Sequence, residues 1–350
     1  MKTILNIGYG KTVLHNQFQQ GVMSSRLQYG IEEIRLGKTY AVVDCPLNNS
    51  GGIVGLVINN FKAIQNADVV YLSYIYESPL LLLFLLKNTG ILKRTIIGVS
   101  HKTVQNDGRL WERIMRKFIY HSFDKILFHS RKNMEESILA GMIDSSQAEF
   151  LYWGDDLTFV DKTFPEKPMG DFFISTGREN RDYDTLIKAF CQSPWKIEIY
   201  TNRKIGDNCY DELSDLLGCY KNVAIQFVDK SNETTLALAR RLSECRCVTI
   251  PLMKDKIDYC VGLTSVVEAM AYGKPIISTY NPYSPIDIEK EQIGFFVQTV
   301  EDWRKAISFI MENPDEASAM GQRARKLAEE QYNIQQCARQ VERLMGEILK

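Results

Sequence analysis

The sequence predicts an α/β protein built from two doubly wound parallel sheets, and three observations carry that prediction. The chain has 350 residues, whereas a single core stops growing at about 250–300, so two domains are the natural division. Val- and Ile-rich runs of strand length alternate with helix-length segments from end to end, the pattern that winds parallel strands with helices on both faces. The alternation breaks once, at DDLTFVDKTFPEKPMGD (155–171), a polar, proline-bearing stretch without an apolar period that reads as a linker. Two Rossmann-like domains facing each other across a cleft are expected.

Taken in order, the first half offers strands in TILNIGY (3–9), ADVVYLSYI (67–75), RTIIGVS (94–100) and KILFHS (125–130). Helices are expected between them, near 54–66, 78–89, 109–122 and 132–140. The second half repeats the alternation with DFFISTG (171–177), KIEIYT (196–201), VAIQFV (223–228), CVTIPL (247–252) and KPIIST (274–279), and the tail from Pro314 onward is helical. The expected boundaries are a first domain at 1–160, a linker at 161–170, a second domain at 171–330 and a C-terminal helix at 331–350.

Composition narrows the function classes. Hydrophobic residues make up 45% and charged residues 24%, ordinary values for a globular domain. The formal net charge is −1, so no global field recruits nucleic acid or membrane. The eight cysteines are scattered, and Cys245 and Cys247 stand too close together for a CxxC pair. Most read as small buried hydrophobes in a reducing cytoplasm. No small-residue cleavage site follows the N-terminal apolar run. PLLLLFLL (79–86) is far shorter than a membrane span of about 18 residues. No His, Cys and Asp cluster has metal-ligand spacing, so no metal or other cofactor is expected, and no GxSxG elbow supports a serine hydrolase.

In doubly wound sheets ligands bind beyond the carboxyl ends of the strands, and four stretches there can do chemistry. In YCVGLTSVVEAMAYGKPIIST (259–279) a helix is expected to start near Thr264, capped by Thr264 or Ser265, and to end at the left-handed Gly273. Gly262, Leu263, Thr264 and Ser265 would then present free backbone N–H groups to an anion such as phosphate. Glu268, one turn further in, either accepts hydrogen bonds from a ribose diol or merely complements the helix dipole. In STGRENRDY, Arg178 and Arg181 follow Gly177 on a post-strand loop. Guanidinium forks suit a diphosphate, although Arg181 paired with Asp182 or Glu179 on a solvated loop is the plain alternative. Arg203 and Lys204, after KIEIYT, are further candidates for the same anion. In RTIIGVSH, His101 stands at a strand's carboxyl end, where a cleft residue belongs; His15, His121 and His129 gain no role from spacing. NIGYGKT fails GxGxxG at Val13 and GxxxxGK at Leu5, which leaves Gly8 and Gly10 as positions where backbone can approach a ligand.

Charge is uneven along the chain. Residues 87–132 hold eleven Lys and Arg against three acids. Within them the helical stretch Arg109–Lys125 interleaves basic residues with Trp111, Ile114, Met115, Phe118 and Ile119. Such a helix either lies on an anionic lipid surface or docks on the domain with a solvated basic face. No nucleic-acid motif accompanies it.

GLTSVVEAMAYGKPIIST resembles the signature of the GT-B glycosyltransferases of family 4, the glycosyl transferases group 1 type, which runs Gly, small polar residues, Glu-Ala-Met-Ala, Gly-x-Pro-Val/Ile. FISTGRENRDYDTLIKAF is similar to the family's strand, Gly-Arg loop and helix, and EFLYWGDDLTFV to its interdomain segment. The resemblance spans most of the chain, with its sharp motifs in the second half. It implies a GT-B fold, with the first domain taking an acceptor, the second a nucleotide-sugar donor such as a UDP-sugar, and the C-terminal helix crossing back to the first domain. It further implies that Glu268 holds the donor ribose, Arg178 and Arg181 the diphosphate, and that His101 faces the sugar. The implied reaction is metal-independent, retaining transfer to a glycan or lipid-linked acceptor in cell-surface polysaccharide or glycolipid synthesis, in the cytoplasm or at the inner membrane face. The family often carries another Glu eight residues before Glu268; here Cys260 stands there and Asp258 is the nearest acid, so these two are the candidates for sugar contact. A nucleotide-sugar 2-epimerase of the same fold, and a non-catalytic relative that binds a glycan or a partner, are the alternatives.

Overall fold

Strands covered on both faces are built from near-continuous apolar runs, and VVYL at 69–72 and CVTI at 247–250 are buried at every position. The computed structural model describes residues 1–47, 52–205, 208–216, 218–228 and 232–350. It divides into two units. Unit 1 comprises Met1–Gly21, Ser25–Trp153 and Ile334–Lys350; unit 2 comprises Val22–Ser24 and Gly154–Asn333.

Unit 1 holds a parallel sheet of β1 (Thr3–Gly8), β2 (Ala41–Pro46), β3 (Val69–Leu72), β4 (Thr95–Ser100), β5 (Lys125–Phe128) and β6 (Ala148–Phe150), in the spatial order β2-β1-β3-β4-β5-β6. Pairing of Ile4 with Val69 and of Ile97 with Lys125 fixes the register on either side of β3 and β4. The order reverses between β1 and β3, which opens a crevice at their carboxyl ends. Leu5, Ile7, Val70, Phe84, Ile96 and Phe128 are among the residues that fill the core. The terminal helix Ile334–Ile348 buries Ile334, Cys337, Ala338, Val341, Leu344 and Met345, a single face at helical spacing. It packs on the helix Ile31–Gly37. Gly30, at a φ of 87°, lets Ala338 approach: a Cβ there would lie 2.7 Å from the Ala338 Cα. Gln340 accepts from the Tyr152 N–H at 3.1 Å and donates to the Phe150 carbonyl at 2.6 Å, satisfying backbone groups that edge strand β6 leaves open.

Unit 2 holds a second parallel sheet of β7 (Phe172–Ser175), β8 (Lys196–Thr201), β11 (Val223–Phe227), β12 (Cys247–Ile250), β13 (Ile276–Thr279) and β14 (Gly294–Val297), ordered β11-β8-β7-β12-β13-β14. A two-stranded ribbon, β9 (Lys204–Ile205) with β10 (Asn208–Cys209), stands apart. This is the 3-2-1-4-5-6 order of a dinucleotide-binding sheet, whose crevice opens where β7 and β12 lie side by side. Phe173, Phe190, Ile199, Trp303 and Ile307 belong to the core. Lys274 is wholly buried and donates to the carbonyls of Pro168 at 2.6 Å and Lys167 at 3.4 Å. Burial pulls its pKa down to about 8.

The structure departs from the sequence reading at the division between the units. The chain passes from unit 1 to unit 2 between Trp153 and Gly154, ahead of the expected linker at 161–170, and returns after Asn333 rather than at 331. The polar stretch is not a plain linker, because Leu157–Thr163 is helical. The Asp156 carboxylate accepts from the Phe159 N–H at 3.0 Å and caps that helix, while Leu157 and Val160 are its buried residues. Three apolar residues in seven, at 157, 159 and 160, are too few to show a period.

Candidate functional site

The two crevices are described separately. In unit 2 the loop after β7 and the loop after β12 are tied by a bridge between Arg181 and Leu252. The Arg181 N–H donates to the Tyr210 hydroxyl at 2.9 Å, and the Asp182 N–H to the Pro251 carbonyl at 3.1 Å. Asp182 is therefore not an ion-pair partner of Arg181; its carboxylate caps the next helix by accepting from the Thr185 N–H at 3.0 Å. Nor is the loop solvated around Arg181, whose residue is only 5% exposed. Its guanidinium donates to the Glu179 backbone carbonyl at 2.6 Å and to the Ser265 hydroxyl at 3.3 Å. Among the described residues no carboxylate pairs with it, and its Nε is buried without a partner, as is the Thr176 hydroxyl at the end of β7. The guanidinium lies against Gly177, where a Cβ would come within 1.8 Å of Nε. Burial works against the charge of Arg181, so the site holds a cation whose natural complement is an anion.

The helix Leu263–Ala271 begins beside this cation. It starts at Leu263, one residue before the expected Thr264, and neither Thr264 nor Ser265 caps it. Gly262 occupies the cap position at a φ of 91°, a conformation that costs other residues about 1–2 kcal/mol. Ser265 is instead engaged with Arg181, and Thr264 is exposed. The cap residue thus offers the first-turn N–H groups no side-chain acceptor, which favours anion binding, although the Leu263 N–H already donates to the Cys260 carbonyl at 3.1 Å. Gly273, at a φ of 65°, closes the helix. Glu268 is half-buried on the same helix.

The remaining unit 2 candidates fall in different surroundings. Arg178 is half-buried, and no ion pair engages it among the described residues. Arg203 lies 4.3 Å over the Phe227 ring and donates to the Ser214 hydroxyl at 2.6 Å, while Lys204 is exposed on β9. Cys260 is buried and Asp258 exposed. The loop carrying them is held by Asn281, whose amide donates to the carbonyls of Tyr259 and Val261 at 3.0 Å each. Asn281 and Tyr210 were not legible as site residues, because their roles depend on neighbours far away in sequence.

In unit 1 the carboxyl ends of β1, β3 and β4 meet at Ser73. His101 sits with Nε2 3.4 Å from the Ser73 carbonyl, and the Lys11 ammonium donates to the Ser73 hydroxyl. Lys11 is buried and passes over Gly8, where a Cβ would come within 2.6 Å of its Cε. Gly10 caps the following helix at a φ of 64°. Gly8, Gly10 and His101 are therefore brought together, with Lys11 as the member that sequence reading missed. Burial lowers the Lys11 pKa to about 8 against the opposing pull of Asp44 and Glu32.

An aromatic cluster surrounds His101. Tyr74 stacks on it at 5.1 Å, and Tyr29 and His129 lie at 5.3 Å and 5.7 Å. Tyr9 and Tyr74 both contact Tyr76, at 4.8 Å and 4.7 Å, and are partly exposed. His129, which spacing did not single out, is buried with Nδ1 3.3 Å from the Leu151 carbonyl. Burial, reinforced by His101, pushes its pKa from 6.5 down to about 3. A folded-state pKa below the unfolded value means the unfolded chain binds the extra proton, so stability falls as pH drops through 6.5 toward 3. Between pH 7 and pH 5 the protein should lose about 2 kcal/mol from this residue alone. Thermal unfolding of wild type and His129→Asn across that range checks it: an equally steep pH dependence in the variant would remove the assignment.

Among the described residues, no group of three His, Cys, Asp or Glu side chains is placed to hold a metal.

Residues 158–327 match the family model of the glycosyl transferases group 1. By sequence no curated protein matches the chain. Solved structures match it over nearly its whole length. A glycosyltransferase from Rickettsia africae is 13% identical with a TM-score of 0.66, covering 100% of this chain and 99% of its own. HepE from Anabaena, solved with UDP and glucose, is 14% identical with a TM-score of 0.64, covering 99% and 100%. UDP-GlcNAc 2-epimerase from Neisseria meningitidis, bound to UDP-GlcNAc, is 11% identical with a TM-score of 0.53, covering 99% and 100%. At these identities the likeness carries the fold, which is GT-B.

Proposed function

We infer, from the group 1 match at residues 158–327 and the GT-B fold, that this chain is a glycosyltransferase in which the crevice of unit 2 binds the nucleoside diphosphate of a sugar donor and stabilises it as leaving group. The observation that carries the reading is Arg181, a buried guanidinium with an unpartnered Nε and no carboxylate, adjoining a helix N-terminus that no side chain caps. As the glycosidic bond breaks, negative charge grows on the diphosphate, and fixed donors in a dry site stabilise that growth. Arg181 and the first-turn N–H groups of Leu263–Ala271 would take the diphosphate, with Arg178 reaching it from the same loop. Glu268 would accept from the ribose hydroxyls.

The donor is taken to be a UDP-sugar, in keeping with the UDP and glucose held by HepE. The acceptor is taken to be a glycan or lipid-linked glycan hydroxyl. The aromatic rim of Tyr9, Tyr74 and Tyr76 with His101 suits a sugar ring, which buries C–H faces on aromatic planes while its hydroxyls meet polar groups. Transfer with retention of configuration is what the resemblance to family 4 implies, and the work of the site would be leaving-group stabilisation and positioning rather than strong side-chain base catalysis.

Thermal unfolding against UDP, GDP, ADP and dTDP, all at one concentration set about 100 times above an assumed dissociation constant for the cognate diphosphate, tests the donor site, since binding of the cognate one adds about 2.7 kcal/mol. UDP should raise the midpoint by several degrees, and Glu268→Gln should abolish that rise in a protein that still unfolds cooperatively. A full UDP shift in Glu268→Gln would remove Glu268 from the ribose. Incubation with UDP-GlcNAc alone separates transfer from 2-epimerisation, because an epimerase needs no acceptor.

A further inference from the structure

The loop after β7 carries, between its two arginines, a residue that diphosphate binding does not explain. Glu179 is exposed, and among the described residues no cation pairs with its carboxylate. A carboxylate there repels the anion that Arg178 and Arg181 would hold, so a site for phosphate alone would be better without it. Its position is nevertheless fixed. The Glu179 carbonyl accepts from the Arg181 guanidinium at 2.6 Å. Asn180 takes a left-handed φ of 53°, its carbonyl accepting from the Met253 N–H at 2.9 Å and its amide donating to the Lys256 carbonyl at 3.4 Å. The facing loop after β12 is pinned in turn by Asn281, through the carbonyls on either side of Cys260. Two fixed loops thus bring the Tyr259 hydroxyl to the Glu179 carboxylate, at 3.4 Å. Burial lowers the Arg181 pKa, and Tyr183, Tyr210, Tyr259 and Glu179 oppose that through their fields, so the pair borders the anion site.

Chemistry selects the group that this pair would meet. Burial, and after it the charge of Glu179, raises the Tyr259 pKa, so the phenol keeps its proton and donates it to the carboxylate. At 3.4 Å that bond is near the outer limit, and an ionised carboxylate has about four acceptor positions. Glu179 therefore keeps most of its accepting capacity, and the phenol oxygen keeps its own. Together they present acceptors and a negative charge beside the diphosphate crevice, a combination that neutral hydroxyls satisfy and a second anion does not. The two candidates for sugar contact at 258 and 260 are less suited. Cys260 offers a buried thiol, a weak hydrogen-bonding group, and no hydrogen bond fixes the exposed Asp258 carboxylate among the described residues.

We propose, resting on the donor reading of this crevice, that Glu179 and Tyr259 hold the hydroxyls of the donor's sugar and select a neutral hexose over a hexuronic acid. Calorimetric dissociation constants test it, taken for wild type, Glu179→Gln and Tyr259→Phe with UDP, UDP-glucose, UDP-galactose, UDP-GlcNAc and UDP-glucuronate. UDP should bind all three proteins, and Glu179→Gln at least as tightly as wild type, because the charge removed repelled the diphosphate. Wild type should bind UDP-glucuronate more weakly than the neutral donors. In Glu179→Gln at least one neutral donor should lose about 10- to 100-fold, the worth of a hydrogen bond to a charged group, while UDP-glucuronate gains. Tyr259→Phe should lose less with the same donor. An unchanged order of sugars in Glu179→Gln, with UDP still bound, would overturn this selection and leave the donor reading standing. No binding of UDP by wild type would remove the donor reading and the selection with it. Binding of UDP that needs added magnesium and is lost in Glu179→Gln would make the carboxylate a cation ligand instead.

Discussion

Arg181→Met should lower turnover by about 10²- to 10³-fold, the loss that follows removal of one donor to a developing oxyanion, and should leave the ligand-free protein at least as stable as wild type. The two effects have one cause. Arg181 is 5% exposed and is held by a backbone carbonyl and a hydroxyl rather than by an acid. A buried charge without a counter-charge costs stability, and an apolar side chain of similar length is often neutral or better in its place. With the diphosphate bound the balance reverses, since the guanidinium gains charge-assisted hydrogen bonds that methionine cannot make. Turnover at saturating donor, set beside thermal midpoints with and without UDP, reads both terms. Turnover within tenfold of wild type would take Arg181 out of the mechanism. A midpoint many degrees lower without ligand would make it a structural residue instead.

Gly154→Ala should cost unit 2 at least about 3 kcal/mol, the upper end for overpacking. That is a fall of about 6–12 °C in the midpoint for a unit of this size. Gly154 opens the main stretch of unit 2 and Asn333 ends it, and the two segments run side by side through the bridge between Asp155 and Asn333. A Cβ on Gly154 would lie 1.8 Å from the Tyr332 carbonyl oxygen and 2.1 Å from its carbon. These are backbone atoms, so no rotamer change relieves the overlap. Asn333 anchors the returning segment by donating to the carbonyls of Ala328 and Glu329 at 2.7 Å and 2.9 Å. Gly346→Ala is the control: it lies within the helix Ile334–Ile348 with nothing near its would-be Cβ, and should gain about 0.5–1 kcal/mol of helix propensity. A midpoint for Gly154→Ala within 2–3 °C of wild type, about 1 kcal/mol, would show that the two segments can separate without loss.

Much of this was legible in the residues. Alternating apolar runs name the strands because a buried parallel strand has no polar face to hide. Gly273 takes the left-handed conformation expected of a glycine that closes a helix, whereas the left-handed Gly10 and Gly262 at helix starts came only with the structure. The stretch around Glu268 carried its family resemblance in the order of its residues, and the group 1 match at 158–327 bears it out. The short helix Leu157–Thr163 escaped notice because its stabilising contacts are a single cap and two buried side chains.

What the sequence by itself determined, then, is the succession of elements and the residue types standing at strand ends. Those depend on neighbours within a turn or two of chain. Only the tertiary structure decided which of those residues lack a counter-charge and which apolar residues lack a cover. Arg181 is drawn away from Asp182 toward Ser265 because β7 and β12 lie side by side, though some 70 residues of chain separate them. Trp111 and Ile114 face outward because Ile119 and Tyr120 already fill the seat on the core. Burial and partnership are set by which distant segments meet, and a linear pattern encodes only the local half of that choice.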